Sequence, residues 1–240
     1  MSRMDHRFDK AARTYDAFAQ VQRAMADWLA EWIPAERTGS AIEIGAGTGL
    51  FTRHLRPWSE SLRATDLSGK MVGTGMKKYP EIEWMVRDAG KIEPETYDWI
   101  FSCSFLQWSE SPQTLLELWR RSLVPGGKVL AGFFIEGALV ELNRILGDEA
   151  PVPRRDWNDW RRIFSRAGFR ILSTEVRATH CTYASSLELF RHLHRIGATG
   201  KPRLNPSGMK KLLNTYTEAC GIPGGGVKAT WKYCRLLAER

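Results

Sequence analysis

The amino-acid sequence predicts an α/β fold in which a mostly parallel sheet is flanked by helices. Apolar runs of strand length alternate with helical patterns over residues 40–135, as parallel strands joined by right-handed helical crossovers require. The runs are nearly continuous, which is typical of strands buried on both faces. A glycine-rich turn follows the first run, at the edge of the sheet where such folds bind ligands.

The first strand and its turn form the most specific pattern in the chain. Residues 41–44, Ala-Ile-Glu-Ile, run into Gly-Ala-Gly-Thr-Gly at 45–49, and a second apolar run ends at Asp66. Glycine lacks Cβ and tolerates positive φ, so the backbone of this turn can approach a bound molecule closely. A carboxylate at the end of the second strand can accept hydrogen bonds from both hydroxyls of a ribose.

Two other nucleotide sites match this turn less well. The G-x-G-x-x-G dinucleotide fingerprint requires glycine where Leu50 stands, and a phosphate-binding P-loop requires a Lys-Ser or Lys-Thr pair that does not follow. Three glycines would also suit a tight turn without a ligand, but such a turn gives no reason for Asp66. The pattern Glu-x-Gly-x-Gly-x-Gly with a second-strand acid resembles the S-adenosyl-L-methionine site of class I methyltransferases.

This resemblance implies a Rossmann-like class I methyltransferase fold, with a seven-stranded sheet and a helical lid inserted before the last strand. Glu43 would orient the turn and meet the ammonium group of the cofactor, directly or through water. Asp66 would bind the ribose hydroxyls. The expected cofactor-binding residues are Glu43, Gly45, Ala46, Gly47, Gly49, Asp66, Leu67, Asp88, Ala89 and Ser104.

The third, fourth and fifth strands are predicted in order along the chain. The third, residues 82–87, leads to Asp88, where these folds place a polar side chain near the adenine amino group. The fourth, residues 97–104, is a nearly continuous apolar run. The Pro-Gly-Gly sequence at 125–127 predicts a turn into the fifth strand, residues 128–135.

The helices are predicted from their caps and from the spacing of apolar residues. Residues 1–35 are expected to form an N-terminal helical segment, with its polar early part closing over the site. Ser111 suits the N-cap and Pro112 the first position of a helix that precedes the fifth strand. Asp156 is expected to cap a further helix, which ends near Gly168.

The last two strands are predicted at residues 169–180 and 227–237, separated by an insertion at 185–222. Two helices are expected in this insertion, at about 187–196 and 206–219. A connection this long is usually functional, so we expect it to be a lid over the cofactor site that supplies substrate contacts. On this interpretation, residues 1–240 form a single methyltransferase domain.

Composition limits the partners and the cellular setting. The 240 residues carry a formal net charge of +8, which favours an anionic partner. No dense Lys/Arg tract with interleaved aromatics is present, so nucleic acid is not the expected partner. The four cysteines lack metal-ligand spacing, and we expect reduced thiols, no metal and a cytoplasmic location. Neither a signal sequence nor a membrane span is predicted.

A narrower resemblance covers nearly the whole chain. Residues 8–15, Phe-Asp-Lys-Ala-Ala-Arg-Thr-Tyr, with Gln-Val-Gln at 20–22, resemble the opening of malonyl-acyl-carrier-protein O-methyltransferases of biotin synthesis. Similar stretches are Leu-Gln-Trp at 106–108, the segment 136–142, and Ile-Gly-Ala-Thr at 196–199. The basic linker that follows, Gly-Lys-Pro-Arg-Leu, departs from the family pattern.

This second resemblance implies methyl transfer to the free carboxylate of a malonyl thioester on acyl carrier protein. It implies an acidic carrier protein as partner, with malonyl-CoA as a weaker substitute, and neither nucleic acid nor a membrane. A carboxylate has a pKa of about 4 and is already nucleophilic at pH 7, so no catalytic base is needed. Catalysis then rests on positioning and on exclusion of water, for which Tyr15, Gln107 and Trp108 are the candidates.

Two other functions stay open. A class I methyltransferase of another small molecule, such as a quinone precursor or a free carboxylic acid, would keep the cofactor site and change the lid. A non-catalytic cofactor-binding protein would keep Asp66 without a methyl-acceptor site. A nucleic-acid methyltransferase is disfavoured, because the Asn/Asp-Pro-Pro-Tyr/Phe tetrad is absent after the fourth strand. Among Arg120, Arg144 and Arg191, the sequence does not single out a partner for a substrate carboxylate.

Overall fold

The computed structural model describes residues 5–36, 39–58, 61–94, 96–147, 153–199 and 204–240. Its strands are β1 Ala41–Ile44, β2 Leu62–Asp66, β3 Glu83–Val86, β4 Tyr97–Cys103, β5 Leu123–Phe134, β6 Arg170–Tyr183 and β7 Val227–Glu239. Its α-helices are α1 Asp5–Ala11, α2 Tyr15–Phe18, α3 Gln20–Ala30, α4 Thr52–Leu55, α5 Gly69–Lys78, α6 Pro112–Ser122, α7 Val140–Leu146, α8 Trp157–Arg166, α9 Ser186–Arg195 and α10 Pro206–Cys220. Single 3₁₀ turns lie at Arg56–Trp58 and Leu106–Trp108. None of these described helices is both long and apolar enough to cross a membrane.

The strands form one sheet in the order β3-β2-β1-β4-β5-β7-β6. Strands β1 to β5 pair in parallel, whereas β7 runs antiparallel to both β5 and β6. The strand order reverses between β1 and β4, and their carboxyl ends open the crevice where α/β sheets bind ligands. The mostly parallel seven-stranded sheet flanked by helices confirms the predicted fold class.

The position of α3 over the sheet is fixed by a small residue in β5. A Cβ built on Gly132 would lie only 3.2 Å from a methyl group of Leu29, and Met25 is the next neighbour. Met25 and Leu29 are both fully buried, so α3 packs directly on the sheet beside the crevice. This packing determines which side chains of α3 reach the ligand-binding edge.

The opposite face of the sheet is covered by α6 and α8. The aromatic ring of Phe133 lies 4.5 Å from that of Trp160, and Phe164 stacks beside it at 6.4 Å between centroids. Helix α8 begins as predicted: the Asp156 carboxylate accepts from the Asp159 amide at 2.7 Å and Asp159 reciprocates, a complete capping box. Gly168 follows the helix with φ of +87°.

The fifth strand begins earlier than the sequence predicts. Tyr97 pairs with Leu123, whereas Trp99 pairs with Lys128, so the Pro-Gly-Gly sequence forms an irregularity inside β5 rather than a turn before it. Parallel pairing resumes beyond the irregularity, and the strand runs on to Phe134. Tertiary pairing with β4 here overrides the local turn signal.

The N-terminal segment and the insertion also differ in detail from the prediction. The helices α1, α2 and α3 lie within the predicted helical segment, which is interrupted at Ala19 between α2 and α3, whereas α7 was not predicted. Within the insertion, α9 and α10 match the two expected helices. Residues 1–4 of the N-terminal segment and residues 200–203 of the basic linker lie outside the described residues.

Candidate active site

Two adjoining cavities lie at the carboxyl ends of the parallel strands. The first, of about 490 Å3, is lined by the glycine-rich turn after β1 and by residues that follow β2, β3 and β4. The second, of about 550 Å3, lies between the end of β5, the loop before α8 and the end of α9. Seven residues line both cavities: Phe8, Tyr15, Gln22, Ser104, Trp108, Ser109 and Glu110. We call the place where Tyr15, Gln22, Ser104 and Trp108 border both cavities the junction.

The three glycines of the turn have positive φ, between +58° and +91°, but they serve different purposes. A Cβ on Gly47 would meet nothing within 4 Å, so the cavity side of the turn is open there. A Cβ on Gly45 would lie 2.6 Å from the Phe105 ring, and one on Gly49 would lie 2.7 Å from the Tyr79 ring. Gly49 does not line the cavity, so its glycine is required by packing rather than by a ligand.

The Asp66 carboxylate is held against the turn. Its Oδ2 atom accepts a hydrogen bond from the Gly47 amide at 2.9 Å, and its Oδ1 atom accepts from the Ser68 amide at 2.8 Å. A carboxylate oxygen can accept more than one hydrogen bond. Asp66 is therefore oriented by the backbone at the edge of the cavity, where its carboxylate suits hydroxyl donors.

Glu43 lies at the bottom of the first cavity and is 1 % exposed. The Thr52 hydroxyl donates to its Oε2 atom at 2.5 Å. Burial raises the pKa of Glu43 to about 8, a rise that the Thr52 hydrogen bond opposes and the charge of Asp66 reinforces. No cation partner of this carboxylate is present among the described residues, so the site favours a cationic group in the cavity.

The far end of the first cavity is built from the residues that follow β2 and β3. Leu67 is 46 % exposed, an unusual state for a large apolar side chain beside a cavity. Asp88 accepts from the Gly90 amide at 2.8 Å, and Ala89 lines the same wall. An apolar side chain and a fixed carboxylate together suit a flat heterocycle with an amino group.

Ser104 directly follows β4 at the junction and has φ of +58°, a conformation rarely adopted by a residue with a side chain. The Gln107 amide group holds it there, because Nε2 donates to the Ser104 carbonyl oxygen at 2.7 Å. The Gln107 Oε1 atom accepts from the Phe134 amide at 3.4 Å. Gln107 borders only the second cavity, and both ends of its side chain bind the backbone. Strain of this kind is concentrated at functional sites.

The candidate residues Tyr15 and Trp108 both lie at the junction. Burial, and then electrostatic interactions with Cys103, Asp66 and Asp16, raise the pKa of the Tyr15 hydroxyl well above its usual range, so it stays a protonated donor. The Trp108 ring packs edge-on against Phe8 at 5.8 Å, with the Arg7 guanidinium 5.9 Å from its centroid. Tyr15 and Trp108 therefore both border the junction, and Phe8 of the N-terminal segment packs against the Trp108 ring there.

The N-terminal segment is fastened over the first cavity by two aspartates. Asp16 accepts from the Thr48 hydroxyl in the glycine-rich turn and forms an ion pair with Lys78. Asp9 accepts from the hydroxyl of Ser68, the N-cap of α5. The sequence predicts a closing segment here but does not single out either aspartate, because its binding partners lie about 30 and 60 residues away.

The helical insertion covers a different place from the one expected. Its described residues contribute Ile196 and Ala198 to the second cavity and nothing to the first. The place over the first cavity is taken by the N-terminal segment. In this structure the insertion is therefore adjacent to the second cavity and does not cover the first.

None of the arginines considered from sequence reaches either cavity. Arg120 donates to the Gly168 carbonyl oxygen at 3.0 Å, and Arg191 pairs with Glu188 at 2.9 Å. Arg144 lies on α7, away from both linings. The arginines that do line the second cavity are Arg7, Arg154 and Arg155.

Comparison with known proteins identifies the family. Residues 42–131 match the family model described as a methyltransferase domain. A malonyl-[acyl-carrier protein] O-methyltransferase of Halorhodospira halophila is 31 % identical over 247 residues, an alignment that covers 94 % of this chain and 83 % of the relative. The chain belongs to the malonyl-[acyl-carrier protein] O-methyltransferase family. It is an S-adenosylmethionine-dependent methyltransferase.

Two further matches of this malonyl-[acyl-carrier protein] O-methyltransferase family member are to a longer protein and to a more distant solved structure. The biotin biosynthesis bifunctional protein BioHC of Cellvibrio japonicus is 35 % identical over 147 residues. That match covers 59 % of this chain and only 29 % of the bifunctional protein. A crystal structure of a candidate methyltransferase from Bacillus halodurans superposes with a TM-score of 0.68 at 15 % identity, covering 89 % of this chain and 97 % of that one. It shows the same fold.

The first cavity fits the cofactor of this methyltransferase family. The open space beside Gly47 admits a ligand against the backbone, and the Asp66 carboxylate, oriented by two backbone amides, can accept from a ribose hydroxyl on each oxygen. The exposed Leu67 side chain gives an apolar surface to an adenine ring. An ammonium group beside the buried Glu43 carboxylate would stabilise its charged form.

One junction residue, quoted in the sequence analysis only as part of the Gln-Val-Gln stretch at 20–22, was not predicted to belong to the site. Gln22 lies on the buried face of α3, between Val21 and Met25, and borders both cavities. The signal was present in the sequence: a polar residue occupies a position where the helical spacing of Phe18, Met25 and Leu29 predicts an apolar one. A polar residue on the apolar stripe of a helix marks a buried contact with something other than the core.

Proposed function

We propose that this enzyme transfers a methyl group to the free carboxylate of a malonyl thioester carried on acyl carrier protein, which gives the methyl ester for biotin synthesis. The observation that carries the proposal is the junction. A cavity suited to the cofactor adjoins there a second cavity large enough for an acyl thioester, and the four junction residues line both. We further propose that residues 1–240 act as a single domain, with the insertion at 185–222 beside the acyl group.

The chemistry suits the groups at the junction. The cofactor supplies an electrophilic methyl group on a sulfonium sulfur, which keeps the electron pair of the broken carbon–sulfur bond. A carboxylate oxygen forms the new bond without losing a proton, so ester formation needs no catalytic base at the junction. The Tyr15 hydroxyl, kept protonated by its surroundings, is proposed to donate to the carboxylate and hold one oxygen in line.

The roles of Gln107 and Trp108 follow from what they contact. Gln107 is proposed to maintain the strained Ser104 backbone at the junction, since its amide binds the Ser104 carbonyl oxygen and the Phe134 amide. Trp108 is proposed to seal the junction against water together with Phe8. Exclusion of water strengthens each polar contact with the carboxylate and prevents competing hydrolysis of the thioester.

The second cavity offers a route for the arm of a carrier protein. Its walls include the apolar residues Phe134, Leu139, Ile196 and Trp231, and its rim carries Arg7, Arg154 and Arg155. Arg155 donates to the Ser109 carbonyl oxygen at 3.4 Å and packs over the Trp160 ring, so its guanidinium is fixed at the rim. A basic rim on a chain of net charge +8 complements an acidic carrier protein better than a neutral small acid.

The proposal is tested by supplying labelled S-adenosylmethionine with malonyl-, succinyl- and acetyl-carrier protein and with malonyl-CoA. We expect methyl ester on the malonyl carrier, less on malonyl-CoA and succinyl carrier, and none on the acetyl carrier, which has no free carboxylate. Efficient methylation of a quinol or a free acid, with no ester on any malonyl thioester, would refute the substrate while leaving the methyltransferase activity standing.

A further inference from the structure

Gln22 is the one junction residue whose polar group is buried and has no hydrogen-bond partner among the described residues. Its side chain is 7 % exposed, and its Oε1 atom is occluded without any hydrogen-bond donor. The residue nonetheless lines both cavities. A buried side-chain amide with an unsatisfied oxygen destabilises the fold, and such groups are rare enough in native proteins to require an explanation.

The packing of α3 fixes the position of the Gln22 side-chain amide. Val21 and Met25, its neighbours on the helix face, are buried in the core, and Gly132 lets α3 lie close to the sheet. With Oε1 occluded, we place the NH2 group of the amide toward the two cavities that Gln22 lines. An apolar side chain of similar size would fill the same place without an unsatisfied oxygen.

We propose that Gln22 binds the carboxylate of the methyl acceptor, its Nε2 group donating a hydrogen bond to one carboxylate oxygen at the junction. This inference rests on the proposed function, because it needs an acceptor with a free carboxylate. It deepens that function by naming the residue that distinguishes a carboxylate from a neutral acceptor. The Tyr15 hydroxyl, on the preceding helix, supplies the second donor.

A neutral amide suits this task better than an arginine. A guanidinium paired with the carboxylate would neutralise much of its charge and weaken it as a nucleophile toward the methyl group. A hydrogen bond from an amide fixes the oxygen in line while leaving the negative charge on it. The arginines Arg7, Arg154 and Arg155 line the second cavity only, whereas Gln22 also lines the cavity suited to the cofactor.

The test compares Gln22→Met and Gln22→Glu with Gln20→Met, a control on an exposed position of the same helix. Gln22→Met should lower kcat/KM for malonyl-carrier protein by about 10- to 100-fold, the range for a lost hydrogen bond to a charged group. The dissociation constant of S-adenosylhomocysteine should stay within about twofold. The urea midpoint should rise, because the unsatisfied oxygen is gone. A residue with only a structural role would lower the midpoint instead.

The Gln22→Glu variant gives a second, independent readout. At pH 8 its carboxylate should repel the substrate and reduce activity further than Gln22→Met does. As the pH falls and the introduced carboxyl group becomes protonated, the side chain regains a donor, so the activity of the variant relative to wild type should increase. Wild type and Gln20→Met should show no such difference in pH profile.

Three results would overturn the inference. In the first, wild type is active and Gln22→Met keeps its kcat/KM, so the proposed function stands and the role of Gln22 fails. In the second, Gln22→Met weakens S-adenosylhomocysteine binding by as much as it lowers kcat/KM, which assigns the amide to the cofactor. In the third, wild type itself methylates no malonyl thioester, and the proposed function and this inference fail together.

Discussion

The Oδ2 atom of Asp66 accepts a hydrogen bond from the backbone amide of Gly47 at 2.9 Å. This hydrogen bond joins Asp66, at the end of β2, to Gly47, in the turn after β1. The turn fixes the carboxylate, and the carboxylate in turn holds the amide at the edge of the cavity. A change at either residue should therefore affect the other as well as the ligand.

Asp66→Ala should abolish most of the stabilisation that the cofactor gives to the fold. A ligand at a hundredfold excess over its dissociation constant stabilises the native state by about 2.7 kcal/mol. Without Asp66 the ribose hydroxyls lose their acceptor and the Gly47 amide loses its partner. Differential scanning fluorimetry with S-adenosylhomocysteine measures the shift in Tm.

The matched control for Asp66→Ala is Glu83→Ala, which removes an exposed carboxylate from the neighbouring strand β3. That variant should keep the full cofactor-induced shift. A full shift in Asp66→Ala would show that the ribose is bound elsewhere, and a shift with NAD in place of S-adenosylhomocysteine would show that the glycine-rich turn has been misinterpreted.

Glu43 should make the protein without cofactor less stable as the pH rises from about 4.5 to about 8. Its pKa is raised from the usual 4.5 to about 8, so in this window the folded state binds more protons than the unfolded state. The contribution is fully favourable below pH 4.5 and is lost by pH 8. Glu43→Gln should therefore be more stable than wild type at pH 8, by roughly 4 kcal/mol at most.

Urea unfolding at several pH values between 5 and 8 measures this difference for Glu43. The gap between Glu43→Gln and wild type should widen steadily with pH. The Thr52 hydroxyl can still donate to the amide oxygen of the variant, so the comparison isolates the charge. A gap that does not change with pH would mean that Glu43 is already ionised in the folded protein.

Binding of the cofactor should release a proton from Glu43 near pH 7. An ammonium group in the first cavity favours the carboxylate over the carboxylic acid, so the raised pKa should fall on binding. Calorimetric titration in two buffers that differ in ionisation enthalpy should give roughly 0.5 to 1 proton released at pH 7. The Glu43→Gln variant should release none, and equal release from the variant would assign the proton to another group.

The fold was predictable because its signals are local and repeated. The apolar runs of β1 to β4, the start of α6 after Ser111, the Asp156 cap of α8 and the two helices of the insertion each follow from nearby residues, although the Ser111 side chain makes no capping hydrogen bond. The start of β5 did not follow, because pairing of Leu123 with Tyr97 is decided by a neighbouring strand and not by the Pro-Gly-Gly sequence itself.

The site was predictable to a smaller extent. Glu43, Gly47 and Asp66 belong to a motif with fixed spacing, and the structure gathers them around one cavity. Gly49 belongs to the same sequence motif, but it lies against the Tyr79 ring and does not line the cavity. The arginines at the rim could not be chosen from sequence, since the chain brings residues 7 and 154 together only through the tertiary fold.

Asp16→Ala should loosen the N-terminal segment and speed release of the cofactor. Asp16 binds Thr48 in the glycine-rich turn and pairs with Lys78, so its loss removes one of the two fastenings over the first cavity. One lost hydrogen bond of about 1 kcal/mol corresponds to about fivefold faster dissociation of S-adenosylhomocysteine. Stopped-flow fluorescence measures the dissociation rate.

Asp27→Ala is the control for this variant, because Asp27 pairs with Arg53 and His54 away from both cavities. It should leave the dissociation rate unchanged. Proteolysis between α1 and α2 should be suppressed by S-adenosylhomocysteine in wild type and less so in Asp16→Ala. Identical cleavage with and without the ligand in wild type would show that the segment does not close over a bound cofactor.

Arg154→Glu should separate use of the carrier protein from use of coenzyme A. Arg154 is exposed at the rim of the second cavity, where an acidic carrier would approach, and charge complementarity mainly accelerates association. We expect kcat/KM for malonyl-carrier protein to fall about tenfold at low salt, with a smaller loss for malonyl-CoA, which covers less of the surface. Raising the ionic strength to about 0.5 M should lower kcat/KM for malonyl-carrier protein in wild type. The difference in kcat/KM between wild type and Arg154→Glu should then become smaller, because exposed charges are screened.

Arg121→Glu is the control, an exposed charge reversal on α6 at a residue that lines neither cavity, and it should behave as wild type. Equal losses for both thioesters, or equal losses in both variants, would place the docking surface of the carrier somewhere other than this rim.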